Sequence, residues 1–321
     1  MIRNSSVLWL LSCLLSILMI GCSSNVNASS EIIERQSTAS PMEVDKASTQ
    51  TNIPITNTPI VITPTITNPP TLFPSATTTL LPTETPVPTE TPPYTWNPAG
   101  YTITPILLYH HVSDDDPENR YFVTLDNFRA QLQALHNLGY TTITATNLAN
   151  VIRHGGGLPP RPVVITFDDG YADIFENAFP IMQEMGFVGV VYIYVDHVGL
   201  NGFVTYEQIK TLAESGWEIG NHSMSHEDLS RNHSDLAYEV QESRLTLQQA
   251  VGVIVETFAY PYGKSDDTVI AFVKSSDYLA GMGLGLNWHH TLDSLFDLSR
   301  IEVRGDVDIS SFKKFLPWTD E

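Results

Sequence analysis

The chain has 321 residues, and its 16 basic and 36 acidic side chains give a net charge of −20 at pH 7. This acidic excess argues against nucleic acid as a partner, because binding to phosphate requires a basic surface. A hydrophobic content of 42% is sufficient for a globular core. The two cysteines are Cys13 and Cys22, so the chain after residue 22 has no disulfide, no zinc finger and no cysteine nucleophile.

The N-terminus has the layout of a secretory signal peptide. Arg3 precedes an apolar run over residues 7–20, which is short for a membrane span. An uncleaved membrane anchor is the alternative. However, residues 19–22 (MIGC) resemble the lipobox of bacterial lipoproteins, which implies cleavage after Gly21 and lipidation of Cys22. We therefore predict a signal peptide over residues 1–21 and a protein held at the bacterial cell surface by a lipid anchor in the membrane.

The segment after the signal peptide becomes rich in Thr, Pro, Ser and Asn and carries little charge. Prolines at this density interrupt helices and sheets, and the segment buries too little apolar surface to offset its ordering entropy. We predict a disordered spacer over residues 22–98. It would hold a globular domain over residues 99–321 at a distance from the membrane.

Short apolar runs alternate with helical patterns throughout this domain. Eight runs predict strands, over residues 103–108, 141–143, 163–167, 188–194, 217–219, 255–259, 278–280 and 300–303. Phe128, Leu132 and Leu135 recur at helical spacing. Residues 205–208 (TYEQ) form a capping box, which begins a helix that Gly216 ends. Such alternation is typical of an α/β fold with a parallel sheet that closes, or nearly closes, into a barrel.

Polar residues follow four of these strands, at the end where barrels of this type build their sites. They are Asp168 and Asp169, then His222 and His226, then Pro261, Tyr262 and Gly263, and, near the start of the domain, His110 and His111. Each group has an ordinary explanation: a helix cap, a chance spacing, a plain turn and a hydrogen-bonded histidine at a strand end. In a helical turn, the spacing of His222 and His226 would place both imidazoles on one face. Two imidazoles and one carboxylate would hold a metal ion with a position open for water, as in catalytic zinc sites.

The sequence resembles the ordered motifs of the polysaccharide deacetylases, the NodB-homology domain of carbohydrate esterase family four. The resemblance rests on residues 166–170 (TFDDG), 222–226 (HSMSH) and 258–263 (FAYPYG), and it covers about residues 105–303. It implies a distorted (β/α) barrel of about seven strands, similar to a TIM barrel. It also implies that Asp168 is the catalytic base and that the backbone N–H of Tyr262 binds the oxyanion. By the same resemblance, a divalent metal ion, expected to be Zn²⁺, is held by Asp169, His222 and His226.

Two positions depart from the family pattern. Ala259 stands where the family usually has an arginine that orients the base, and Arg161 and Arg304 are the candidates to replace it. The usual Leu-x-His motif with the catalytic acid is absent near the C-terminus, but residues 108–110 (LYH) have this form ahead of the other motifs. This order resembles a circularly permuted subgroup that includes biofilm poly-N-acetylglucosamine deacetylases. It makes His110 the candidate acid, with His111 as the alternative.

The function we predict is removal of N-acetyl groups from an N-acetylglucosamine-containing polysaccharide, either an exopolysaccharide or peptidoglycan. An O-acetyl esterase acting on a glycan is one alternative. A glycan-binding lipoprotein without catalysis is another, because of Ala259. We expect His289 and His290, next to Trp288, to be surface or sugar-contacting residues rather than metal ligands.

Overall fold

The computed structural model describes residues 93–319. The strands are β1 (Thr95–Asn97), β2 (Tyr101–Ile103), β3 (Ile106–Tyr109), β4 (His111–Val112), β5 (Phe122–Val123), β6 (Thr141–Thr142), β7 (Gly156–Leu158), β8 (Pro162–Phe167), β9 (Val190–Ile193), β10 (Glu218–Asn221), β11 (Thr257–Ala259), β12 (Ala280–Met282), β13 (His289–Thr291) and β14 (Ile301–Glu302). The α-helices are α1 (Leu125–Asn137), α2 (Ala145–His154), α3 (Phe179–Glu184), α4 (Tyr206–Glu214), α5 (Ser243–Val251), α6 (Asp267–Ser275) and α7 (Ile309–Lys313). Segments Ile174–Ala178 and Ala237–Glu242 are π-helical, and Val195–His197 and Pro261–Gly263 are 3₁₀ turns.

The predicted N-terminal segments fall largely outside the described residues. This applies to the signal peptide, to Cys22 and to the spacer as far as residue 92. The predicted end of the spacer at residue 98 is wrong, because β1 already pairs antiparallel with β7. None of the helices within residues 93–319 is long and apolar enough to cross a membrane.

A curled parallel sheet forms the centre of the domain. Its strands follow the order β12-β11-β10-β9-β8-β3-β14, and β6 pairs with β8 beside this path of seven. All the pairings within it are parallel. All six residues of β8 are buried, because a strand at the centre of a parallel sheet is covered on both faces. The predicted α/β barrel is confirmed, and each of the eight predicted strands overlaps a strand of this sheet.

The two edges of the sheet meet through the residues that flank β12 and β14. Gly283 N donates to Leu298 O at 2.9 Å, and Gly285 N donates to Arg300 O at 2.9 Å. A Cβ atom at Gly283 would overlap the Asp297 carboxylate, so a larger residue there would displace this side chain. This contact draws Arg300 to the inside of the barrel, where its side chain is completely buried.

Two helices follow the sequence prediction closely. The periodic residues Phe128, Leu132 and Leu135 of α1 are fully buried. Helix α4 begins with the predicted capping box, in which Thr205 and Gln208 each bond the other's backbone. Both helices pack their apolar side chains on the sheet, and they leave its carboxyl end open to solvent on the side where the site lies.

Candidate active site

The predicted site residues lie on one cleft at the carboxyl ends of the sheet strands. The cleft has a volume of about 430 Å³, and the residues lining it include His110, His111, Asp168, Asp169, His222, His226 and Tyr262. Strands β3, β8, β10 and β11 end directly before these residues. Because parallel strands place their carboxyl ends on the same rim, groups more than a hundred residues apart meet there.

Asp169, His222 and His226 form a cluster in which the potential ligand atoms lie within 4.8 Å of one another. Asp169 Oδ1 is 3.1 Å from His226 Nε2 and 3.4 Å from His222 Nε2. This oxygen is buried and has no hydrogen-bond partner, although two imidazole nitrogens lie beside it. A cation between these three atoms would satisfy all of them, so the residues fit one divalent metal ion.

The orientation of His222 supports the same conclusion. Its Nδ1 lies 2.7 Å from the carbonyl oxygen of Ala259. A carbonyl only accepts hydrogen bonds, so Nδ1 carries a proton, and in the neutral ring the lone pair of Nε2 would face Asp169. Ala259, which replaces the family arginine, thus contributes through its backbone.

The expectation that His222 and His226 lie on a helical turn is wrong. Residues 222–226 form a loop in which Ser223 and His226 have φ angles of 69° and 62°. Positive φ is unfavourable for residues other than glycine, and it persists where the surroundings fix the backbone. Ser223 Oγ accepts a hydrogen bond from His226 N at 2.9 Å, which closes the loop from within.

The buried side chain of Glu239 holds this loop from the neighbouring π-helical segment. Its Oε2 accepts hydrogen bonds from Met224 N at 3.1 Å and from Ser225 N at 2.9 Å, and its Oε1 accepts one from Ser225 Oγ. Glu239 therefore acts as an anchor for the backbone between the two histidines. Sequence reasoning missed this role, because the residue lies on another element and belongs to none of the motifs.

Arg300 pairs with Asp168 through the two terminal nitrogens of its guanidinium group. Nη1 lies 2.6 Å from Asp168 Oδ1, and Nη2 lies 2.8 Å from Oδ2. Arg300 Nε also donates to Gly283 O at 3.1 Å, at the closure of the sheet. Among the described residues, this arginine therefore fills the place of the family arginine that is missing at Ala259.

The two arginines proposed for that place from the sequence have other positions. Arg161 precedes β8 and so lies at the opposite end of this strand from Asp168, where it donates to Leu138 O. Arg304 pairs through Nε with Glu302 at 2.6 Å. Both assignments are wrong. The only sequence signal for the correct residue was that Arg300 stands where the usual Leu-x-His motif would end.

The charges around the cleft favour ionised carboxylates. Burial opposes ionisation of Asp168, but the Arg300 guanidinium and the His222 imidazole hold the pKa of this carboxyl below its usual value. For Asp169, burial is likewise outweighed by His222 and His226, which keep its pKa far below the usual range. Burial lowers the pKa of His110, although Asp168 and Asp169 oppose this effect.

The two adjacent histidines have different surroundings. The His110 ring lies 4.9 Å from the ring of Tyr121. The His111 ring is stacked between Phe122 at 3.9 Å and Tyr171 at 3.7 Å, and its Nδ1 is 2.6 Å from Asp173 Oδ2. Because both histidines line the cleft, the assignment of His110 as the acid stays a prediction.

Tyr262 lies in the turn that follows β11, with a φ angle of 60°. Its ring centroid is 4.7 Å from that of His226, so the turn lies directly beside the metal cluster. This position is compatible with an oxyanion contact from its backbone N–H, which stays a prediction. Tyr171, a residue that the sequence did not single out, interacts with Asp169, and burial together with this carboxylate raises the pKa of its hydroxyl.

The histidine pair next to Trp288 differs from expectation. His289 is exposed and contacts Tyr101, but His290 is fully buried, and its Nε2 lies 2.9 Å from Thr104 O. His290 is thus a core residue, and the expectation that it is a surface or sugar-contacting residue is wrong. Neither histidine lines the cleft.

Comparison with known proteins agrees with this geometry. Residues 155–281 match the family model of the polysaccharide deacetylases. The Bacillus subtilis (strain 168) protein YxkH, a polysaccharide deacetylase by name, is 24% identical over 213 residues, covering 66% of this chain and 75% of its own. The poly-beta-1,6-N-acetyl-D-glucosamine N-deacetylase of Staphylococcus aureus (strain MRSA252) is 25% identical over 192 residues, or 55% of this chain and 66% of its own. The solved structure of BC0361, a polysaccharide deacetylase from Bacillus cereus, superimposes with a TM-score of 0.61 at 25% identity, covering 67% of this chain and 69% of that one.

Residues 155–281 therefore match a polysaccharide deacetylase domain, and the relatives to which the chain is similar are polysaccharide deacetylases, which are hydrolases. The resemblance found in the sequence is confirmed, as is the prediction of an enzyme. Deacetylases of carbohydrate esterase family four are in general metal-dependent, and the cluster of Asp169, His222 and His226 is a possible site for the ion.

Proposed function

We propose that this protein is a metal-dependent N-deacetylase that removes acetyl groups from an N-acetylglucosamine-containing polysaccharide at the bacterial cell surface. The observation that carries the proposal is the placement of the Arg300–Asp168 pair next to the cluster of Asp169, His222 and His226 in one cleft. The name of the Staphylococcus aureus relative supports an amide of glucosamine as the bond that is cleaved.

Asp169, His222 and His226 would hold the ion, and we propose Zn²⁺ because two imidazoles and one carboxylate are a frequent donor set for catalytic zinc. When bound, such an ion polarises the acetyl carbonyl and lowers the pKa of water. The Nδ1–H of His222 stays on the carbonyl oxygen of Ala259, so this ring keeps its orientation throughout the reaction.

The chain's own groups then carry the protons. Asp168 accepts the proton of the attacking water at Oδ2, the oxygen that lies 3.7 Å from His222 Nε2 and so faces the cluster. Arg300 holds both carboxylate oxygens and prevents the group from rotating away. The backbone N–H of Tyr262 donates to the oxyanion that forms. His110 gives a ring proton to the amide nitrogen, which can then leave as an amine.

Acetate release tests the proposed reaction. The purified protein would be incubated with a neutral N-acetylglucosamine oligomer and with an O-acetylated glycan, before and after treatment with a chelator and after restoring Zn²⁺. We expect acetate to be released from the amide substrate. This release should stop after treatment with the chelator and resume when Zn²⁺ is restored. Release from esters alone would support the O-acetyl esterase, and binding without release would support the non-catalytic alternative. The non-catalytic alternative was based on the missing arginine at Ala259. The pairing of Arg300 with Asp168 removes this reason for it.

The proposed surface location rests on Cys22 and the lipobox resemblance. Replacing this residue (Cys22→Ser) should give an unprocessed precursor or a protein released from the membrane fraction. Fractionation and mass analysis of the mature N-terminus measure this. A wild-type chain recovered without an acyl group would exclude the anchor while leaving the proposed reaction untouched.

A further inference from the structure

Two arginines without a role in the mechanism line the cleft. They are Arg120, on the loop between β4 and β5, and Arg304, which follows β14. Their side chains remain 51% and 42% exposed. The same cleft is also lined by the carboxylates of Asp168, Asp169 and Glu302, so the partners of each charge decide what the two arginines can bind.

Both guanidinium groups converge on a single carboxylate, that of Glu302. Arg304 Nε lies 2.6 Å from Glu302 Oε2, and Arg120 Nη2 lies 3.6 Å from the same oxygen. Asp306 also acts electrostatically on Arg304, but it does not line the cleft, so Glu302 is the carboxylate shared by the two arginines there. The other carboxylates of the cleft have different partners, because Asp168 pairs with Arg300 and Asp169 belongs to the metal cluster.

Arg120 and Arg304 are held in place by the backbone around them. Gly305 N donates to Arg120 O at 3.0 Å, which joins the two segments next to the arginines. A Cβ atom at Gly305 would overlap Phe122 O, so the two backbones are in direct contact. Arg120 also lies over the Tyr121 ring, 4.7 Å from its centroid, and donates to the Tyr121 hydroxyl. This order lowers the entropy cost of binding a ligand there.

The bonds to Glu302 and Tyr121 engage one nitrogen of each guanidinium group, and a guanidinium group carries five N–H donors. The planar arrangement of these donors matches carboxylate and phosphate oxygens, which arginine binds in pairs. The two arginines are also close to the reaction site. The Tyr121 ring that supports Arg120 is itself in contact with the ring of His110.

We propose that Arg120 and Arg304 form an anion-binding subsite for a carboxylate or a phosphate group that the polysaccharide carries beside its acetylated sugar. This inference rests on the proposed function, because it takes the cleft to be the glycan site. A neutral homopolymer offers no group of opposite charge to this pair. The subsite therefore indicates an acidic glycan as the preferred substrate.

The test compares kcat/KM of the full chain on three oligomers of equal length. One is a neutral N-acetylglucosamine oligomer, the second carries the lactyl carboxylate of muramic acid on alternate sugars, and the third carries a phosphate group. We expect the wild type to prefer one of the charged oligomers, and which of the two it prefers identifies the anion. Arg304→Gln and Arg120→Gln should each reduce that preference by about 10-fold, as expected for a charge-assisted hydrogen bond.

Replacement of Glu302 should change the preference for the charged oligomer in the opposite direction. Glu302→Gln removes the carboxylate that competes with the ligand, so the preference for the charged oligomer should increase. Raising the salt concentration should decrease the preference in the wild type, because it screens exposed charges. The matched control is Arg129→Gln on α1, since Arg129 is 47% exposed and pairs with Glu184 at 2.6 Å, but it does not line the cleft. This control should keep the wild-type preference.

Equal kcat/KM of the wild type on the neutral and charged oligomers would overturn the subsite, and so would an unchanged preference in both arginine variants. Failure of the proposed function is recognised separately. If no oligomer is deacetylated, the dissociation constants of the same three oligomers, measured by calorimetry, still report whether the charged ones bind more tightly through Arg120 and Arg304.

Discussion

Arg300 and Asp168 are both buried, and their ion pair is accompanied by hydrogen bonds from the guanidinium group to Gly283 O and Thr166 Oγ1. Placing two charges in the interior costs several kcal/mol, which only good geometry and further hydrogen bonds offset. The pair therefore adds little to stability as a whole, whereas the loss of either partner leaves one charge buried alone. In the proposed reaction, the pair would matter because Arg300 keeps Asp168 ionised and oriented.

Removing the guanidinium group should change the pH dependence of the reaction. In Arg300→Met, burial raises the pKa of Asp168 without opposition from the arginine, so a larger fraction of this base is protonated and inactive. The acidic limb of the kcat/KM profile should move to higher pH, and the rate at pH 7 should fall by roughly 10²-fold, as for a lost general base. Arg300→Lys should restore part of the rate at pH 7 and part of the wild-type pH profile, because lysine returns the charge without the paired hydrogen bonds.

The control for Arg300→Met is a stability measurement. Asp168→Asn leaves Arg300 buried without its counter-ion and should lower the free energy of unfolding by about 3 kcal/mol or more. The double variant Asp168→Asn with Arg300→Met should be more stable than Asp168→Asn alone. An Arg300→Met enzyme with the wild-type pH profile would show that this arginine does not govern the base.

The two neighbouring histidines can be distinguished by the leaving group of the substrate. His110→Ala should retain metal but lose activity on acetylated glucosamine, because an amine must be protonated in order to leave. Its activity on an activated acetate ester should decrease much less. If instead only His111→Ala selectively loses the amide reaction, the acid is His111, whose ring Asp173, Phe122 and Tyr171 fix in place.

At the scale of elements, the loop over residues 222–226 depends on Glu239 in the adjacent π-helical segment. Glu239→Ala leaves the N–H groups of Met224 and Ser225 without their acceptor, so the loop should relax from its positive φ angles. Affinity for the metal should fall by roughly 10-fold to 100-fold, the usual effect of removing a group that orients ligands. Titration of the metal against a competing chelator measures this change.

Two variants separate this positioning role from a general loss of stability. Glu239→Gln keeps a carbonyl oxygen for the two N–H groups and should recover most of the affinity. Glu242→Ala changes an exposed residue of the same segment and should leave the affinity unchanged. If Glu239→Ala binds the metal as the wild type does, the loop holds its shape without this anchor.

The sequence allowed the sheet to be predicted better than the smaller strands. Runs such as the one that forms β8 are long, apolar and bounded by polar residues, so they are read from local pattern alone. Strands of two or three residues, such as β4 and β5, show no periodicity to read. The i, i+4 spacing of His222 and His226 correctly predicted that the two rings lie close together. The predicted cause, a helical turn, was incorrect, because a loop anchored by Glu239 brings the rings together.

The candidate site was predictable wherever a residue follows a strand. Asp168, Asp169, His222 and Tyr262 all lie at strand ends, and the topology of a parallel barrel brings such positions together. Arg300 was not predictable, because its partner lies 132 residues away and a buried arginine has no local signature. Long-range pairing of this type depends on how the sheet closes, which the local pattern does not contain.

At the scale of the whole molecule, buried His290 should make the fold sensitive to acid. Burial lowers the pKa of His290 to about 4, against 6.5 for an unperturbed histidine. In the unfolded chain this group takes up a proton below pH 6.5, but in the folded protein it does so only near pH 4. Above pH 6.5, His290 therefore does not reduce the free energy of unfolding. As the pH falls from 6.5 toward 4, the free energy of unfolding decreases progressively through this residue.

Urea unfolding at pH 7 and at pH 4.5 measures this effect. The wild type should lose about 2 kcal/mol between the two values through this residue. His290→Gln can still donate to Thr104 O but does not titrate, so it should lose correspondingly less. His154→Gln, at an exposed histidine on α2, should behave as the wild type does. An equal loss of unfolding free energy between pH 7 and pH 4.5 in all three proteins would show that His290 does not control acid unfolding.

The position of Arg300 just before β14 places the partner of Asp168 in the part of the sheet that is synthesised last. Strand β14 is the last strand of the sheet to leave the ribosome, long after Asp168, His222 and Tyr262 have emerged. A nascent chain that ends after β12 already contains Asp169, His222 and His226, but it lacks the counter-ion of Asp168. The pairing that orients Asp168 is therefore completed only when the last strand of the sheet has been synthesised and the sheet can close.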